Sequence, residues 1–182
     1  MSDLENMKLD GLHERHPGLT QALGQSYAEA ASVCLSRHHQ SPVTVSVKHG
    51  GNDELRVINF ALPDARISNA HANETDATET GAYGVSLAAV EAVIGLVAVR
   101  RAETLTGADW YIAPTGTTIE DLETCIRLEV SGTSAGASKE ITRRLLEKIA
   151  QAGRGQSNLP AIAAVVGFKA LEIAISPLKE QA

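Results

Sequence analysis

Histidine disappears from this chain after His71. No Ser-His-Asp arrangement can therefore be drawn across the later two thirds of the sequence. Cysteine is almost as scarce. Cys34 and Cys125 lie far apart and in no spacing such as C-x2-C, which excludes a zinc cluster and a disulfide framework. Aromatic residues make up 3% of the chain, so the core must be built from Ala, Val, Ile and Leu, a composition suited to close helix–sheet packing. Long apolar runs are missing too. The stretch from Val85 to Val99 is broken by Glu91 and followed by Arg100 and Arg101, too short and too interrupted to span a bilayer. The opening MSDLENMKLDG is acidic and without an apolar run, so it does not read as a signal peptide. The expectation is a reduced, cytoplasmic protein with no membrane segment. Phosphate-binding glycine motifs are also lacking. GTSAGAS, residues 132–138, has no P-loop lysine and no G-x-G-x-x-G pattern. As a small-residue loop before a helix it reads either as an anion cradle or as a tolerant connection.

What is present is one domain's worth of ordinary globular sequence, 182 residues with 43% hydrophobic and 21% charged. The net charge of −6 argues against a generic nucleic-acid binder. It is unevenly spread. Residues 138–182 hold seven Lys/Arg and four Asp/Glu, a net of +3, so the rest of the chain carries −9. A mildly basic C-terminal third fits a solvated helix face, and it also fits contact with phosphate.

Residues 1–17 read as a tail, and residues 18–63 as an N-terminal helix (about 19–37) followed by a hairpin. VTVSVKH alternates strictly, Gly50-Gly51-Asn52-Asp53 is a slightly long turn, and ELRVINFAL returns. Residues 64–82 read as a polar connection. Glu74, Asp76 and Glu79 within it stand as dipole partners of the next helix or as supplements to a site there. VSLAAVEAVIGL is a buried helix with Glu91 inside it, and Gly95 can end it before a strand, LVAVRRAE. DWYIAP is a short strand after a turn at 104–107, Thr115–Thr118 is a loop, and LETCIRLEVSG is a third strand. SKEITRRLLEKIAQAG is a helix capped by Ser138, and LPAIAAVVGFKALEIAIS gives one or two continuously apolar, central strands. His38 and His39 close the first helix, where histidine suits the helix C-terminus; adjacent residues point apart, which disfavours metal binding.

Three acids fall at telling places: Glu91 in the buried helix, Asp109 at the head of the second strand, and Glu129 in RLEVSG, sharing a strand face with Arg127 and Ser131. Singly each reads as structural. Glu91 could pair with Arg100, Arg101 or Arg127; Asp109 could be a turn residue; Arg127 and Glu129 could mark a solvated face. Together, an α-β-β-β-α-β order over residues 84–176 with acids at these elements resembles the PD-(D/E)XK nuclease-like superfamily. The resemblance implies an α/β fold with a mixed sheet flanked by helices. It also implies a Mg²⁺ or Mn²⁺ site formed by Glu91, Asp109 and Glu129, acting on a nucleic-acid phosphodiester. In that family the residue two after the third-strand acid is normally a lysine; here it is Ser131. Either activity is lost or a cation arrives from Lys139 or Lys148, of which Lys148 lies nearer the apolar stripe of its helix. Two functions are therefore expected in parallel. One is a metal-dependent nuclease whose catalytic set is Glu91, Asp109, Glu129, Ser131 and Lys148. The other is a catalytically degenerate module that binds nucleic acid, a protein partner or a second copy of itself.

Overall fold

The structure is a computed structural model, and it describes residues 5–117 and 122–177. Thr118 of the loop read at 115–118 and residues 1–4 of the tail lie outside that range. Helices α1 (Leu12–Arg15), α2 (Gln21–Ser36), α3 (Ala65–Ala70), α4 (Glu74–Ile94) and α5 (Ser138–Gly153) surround seven strands. These are β1 (Val43–His49), β2 (Asn52–Ile58), β3 (Leu96–Arg101), β4 (Trp110–Pro114), β5 (Ile126–Thr133), β6 (Ala161–Gly167) and β7 (Glu172–Ile175). They form one mixed sheet in the order β2-β1-β7-β6-β5-β4-β3. The pairs β1/β7 and β5/β6 are parallel and the rest antiparallel. The α/β class is as expected, and α4-β3-β4-β5-α5-β6 appears in that order. The N-terminal hairpin extends the same sheet through β1 and β7. Among the described residues no helix is long and apolar enough to cross a membrane.

The patterning explains the layers. Val43, Val45 and Val47 alternate inward on β1, and join Ile112, Leu128, Val130, Ile162, Ala164 and Ile173 beneath α2 and α4. On the opposite face α5 sets Ile141 and Leu145 on Val165 and Ala174.

Four readings are corrected. The helix carrying Glu91 starts at Glu74, not near Val85. Asn73 caps it by accepting from the Thr75 and Asp76 N–H groups, and Glu74 and Asp76 favour its positive end. The polar run ETDATET thus comprises its first two turns. The hairpin turn is tight: His49 pairs with Asn52, and Gly50 and Gly51 supply the two positive φ values (56° and 85°) such a turn needs. Ser138 does not cap α5; the N-cap position is Ala137, and the Ser138 hydroxyl donates to Glu172 at 2.6 Å.

The fourth concerns residues 5–17, which form a packed strap. Met7, Leu9 and Leu12 are buried. At one end Met7 donates to Val57 O on the β2 edge; at the other Gly18 donates to Ala98 O on the β3 edge. Both outer strands of the sheet are thereby partly covered.

Candidate functional site

Trp110 pairs with Leu128, so Asp109, just before β4, and Glu129, just after Leu128, are neighbours across the β4–β5 seam. Asp109 is fixed from three sides. Its Oδ2 accepts the Val130 N–H at 2.8 Å, and its Oδ1 accepts from the Tyr83 hydroxyl at 2.9 Å and from Arg101 at 3.4 Å. Glu129 is buried, its side chain 5% exposed, and Lys148 from α5 donates to its Oε1 at 2.7 Å. Burial, and after it the charge of Asp109, hold the Glu129 carboxyl above the usual carboxylate range, while Lys148 pulls it back. Ser131 lines the adjoining cleft of about 470 Å³, together with Thr75, Glu79, Arg144 and Lys148.

The helix α4 brings two groups that the strand pattern did not announce. Glu79 sits 3.2 Å from the Tyr83 hydroxyl, and the Arg101 guanidinium stacks 4.6 Å from the Tyr83 ring and 5.2 Å from that of Trp110. Tyr83 has one proton to donate and two carboxylates within reach. Burial pushes its phenol well above its ordinary value, so that proton stays in place at neutral pH.

Glu91 is not part of this assembly. It lies eight residues beyond Tyr83, roughly 12 Å further along α4 at about 1.5 Å per residue, too far to share an ion whose ligand distances are about 2.1 Å. It also pairs with none of Arg100, Arg101 or Arg127. Arg15 binds it at 2.8 Å and His16 at 3.2 Å. Arg15 also donates to the carbonyls of Lys8, Asp10 and Gly11. The His16 ring is fully buried and accepts the Ala98 N–H at its Nδ1, which leaves Nε2–H to donate to Glu91. Burial lowers the His16 value against the pull of Glu91. Glu91 is the anchor of the strap.

The RLEVSG face is buried, not solvated. Arg127 is fully enclosed and, among the described residues, has no carboxylate partner. It donates to Thr106 O at 2.5 Å, to Ala152 O at the C-terminal end of α5 at 3.0 Å and to Leu159 O at 3.0 Å. A cation at the negative end of a helix is favourably placed, and here it ties the loop before Asp109 to α5. Lys139 is exposed and does not line the cleft; Lys148 does.

Whether this donor set suits a divalent cation turns on its chemistry. Among the described residues no group of three or more His, Cys, Asp or Glu side chains could hold an ion. Mg²⁺ is nevertheless commonly held by one or two carboxylates with waters completing the octahedron. Asp109 and Glu129 offer hard oxygens from neighbouring positions on the β4–β5 seam, and the Asp109 charge that adds to burial in raising Glu129 is the kind of repulsion a cation relieves. The residues fit a two-carboxylate site, smaller than the three-acid site expected. Comparison with protein-family models, with curated proteins and with solved structures finds no match to this chain.

Proposed function

We propose that the chain is a metal-dependent phosphodiester hydrolase of the nuclease-like kind, with Asp109 and Glu129 as its cation ligands. The observation that carries this reading is the Lys148 ammonium, 2.7 Å from Glu129 and facing the cleft that Ser131 lines. The positive charge absent at position 131 is delivered from α5 instead. The α-β-β-β-α-β order, the reason for the resemblance to the PD-(D/E)XK superfamily, supports it further.

Bound Mg²⁺ or Mn²⁺ would polarise the phosphodiester and lower the pKa of a coordinated water. Asp109 is held in one orientation by Val130 N–H, Tyr83 and Arg101, which serves ligation better than a free side chain would. Lys148 stands to meet negative charge that develops on a phosphoryl oxygen. Ser131 can orient a water through its hydroxyl but brings no charge.

The degenerate-module reading also has an observation in its favour: Asp109 already accepts from three protein donors and Glu129 from an ammonium. Calorimetric titration of Mg²⁺ and Mn²⁺ decides, run alongside cleavage assays on labelled DNA and RNA. The parent and Glu91→Gln should bind the cation alike, Asp109→Asn and Glu129→Gln should not bind it, and Lys148→Met should bind it without cleaving. Cation binding that survives Asp109→Asn rules the site out. Binding without cleavage in the parent favours the degenerate module.

A further inference from the structure

Two clefts share Asp109. The first, of about 470 Å³, lies between the N-terminal half of α4, the end of β5 and α5, with Arg144 and Lys148 as its cations. The second, of about 460 Å³, lies between the loop 102–108 and the end of α5, with Arg101 and Arg154 as its cations. Asp109 lines both. Lys148 faces the first and Glu129 the second, so their ion pair stands between the two. Acids line both clefts alongside these cations, Glu74 and Glu79 in the first and Glu103 in the second.

A ligand that fills both clefts is long, narrow and anionic at intervals, and it crosses the acid pair midway. A duplex fits poorly: it brings twice the phosphate charge to clefts whose own lining includes Glu74, Glu79 and Glu103, on a chain whose net charge is −6. We propose that the site takes an unpaired polynucleotide strand, running from the Arg154 cleft over Asp109 to the Arg144 cleft, with one phosphodiester set against Asp109 and Glu129. This rests on the phosphodiester reading of the site. The rings nearest the path, Tyr27, Tyr83 and Trp110, are buried, so no aromatic platform is offered for stacking. The contacts are to phosphates, and binding is sequence-tolerant and salt-sensitive.

The test is fluorescence anisotropy of the full chain with labelled oligothymidylates and oligouridylates of increasing length, and with a duplex of the longest. It is run over a range of salt, with Ca²⁺ in place of Mg²⁺ to spare the strand. Affinity should rise with length until both clefts are spanned and then level, and the duplex should bind about tenfold more weakly. Arg154→Gln and Arg144→Gln should each weaken strand binding and reduce the salt slope by about 0.7, one single-strand phosphate contact. Arg143→Gln, paired with Glu147 and lining neither cleft, should leave both unchanged. A duplex that binds as tightly as the strand, an Arg154→Gln chain indistinguishable from the parent, or no strand binding at all overturns the proposal. Strand binding in the expected pattern without an Asp109-dependent cation removes the hydrolase and keeps the strand site. Metal-dependent cleavage of duplex alone does the reverse.

Discussion

Glu129 shows how a residue of the proposed site is held against its own stability. Its carboxyl lies above the usual carboxylate range because it is buried beside Asp109, so the folded chain holds the carboxyl proton more tightly than the unfolded chain does. The sign follows: the group favours folding in acid and costs stability as pH rises through its raised value. Glu129→Gln removes that buried charge but leaves Lys148, whose side chain is 25% exposed, without its partner. A partly hydrated lysine loses little, so the variant should melt at or above the parent's temperature at pH 8, by about 1 kcal/mol at most. It should show no advantage near pH 4 and should lose cation binding throughout. Thermal melts at the two pH values check this; a marked fall at pH 8 would mean that the ion pair outweighs the burial. Asp109 and Glu129 were legible in the sequence because strand alternation and a strand-opening turn fix where such side chains emerge. Tyr83 was not, and Glu79 stood only as a supplement to a site on the following helix, since polar first turns made the start of α4 look like a connection. The signal that could have found them was Asn73, a capping residue followed directly by acids.

At the scale of elements, the strap over residues 5–18 explains why Glu91 stands apart from Asp109 and Glu129. Glu91 does sit on the buried helix, but its partners Arg15 and His16 come from a stretch without sustained periodicity, where only Met7, Leu9 and Leu12 hint at packing. Arg15 joins three strap carbonyls to Glu91. Arg15→Ala should therefore cost about 2–3 kcal/mol and open Lys8 to trypsin, and Glu91→Gln should loosen the strap by less, with divalent-cation binding untouched. His16 adds a pH dependence. Its value is lowered by burial, so its contribution is complete above the ordinary histidine value of about 6.5 and is lost as pH falls through the lowered one. Protonation would also put a proton on Nδ1, which now accepts from Ala98. Hydrogen exchange at the Ala98 and Gly18 amides should rise in mild acid before the sheet centre exchanges, and a uniform rise across the sheet would contradict a local clasp. The central strands β6 and β7, by contrast, were readable, because a continuous apolar run between turns has little else to become.

For the whole molecule, the shortage of aromatic residues is a statement about spacing. α2 and α4 approach closely enough that a Cβ added at Gly81 would lie 3.0 Å from the backbone of Ala31, and one at Gly84 would lie 3.0 Å from Tyr27 Cβ. Small residues at this contact bring α4 down onto β5, where a Cβ added at Gly132 would meet Ala82 Cβ and Thr78 O, both at 2.9 Å. Tyr83 reaches Asp109 only because the layer is this thin, so packing and site geometry are one property. Gly81→Val tests that link. The branched side chain must push against backbone, which cannot swing aside, so α4 should lift from α2 at a cost of about 2–3 kcal/mol. The displacement falls two residues from Tyr83, which should weaken its hold on Asp109 and reduce cation affinity at temperatures where the fold persists. Gly153→Ala provides the comparison. Nothing lies within 4 Å of its added Cβ, and alanine is favoured over glycine in a helix by up to about 1 kcal/mol, so stability should hold or rise with cation affinity unchanged. Melting temperatures and calorimetric titrations of the two variants separate the readings: if Gly81→Val loses stability but keeps full affinity for the cation, the interhelical contact supports the fold without setting the site.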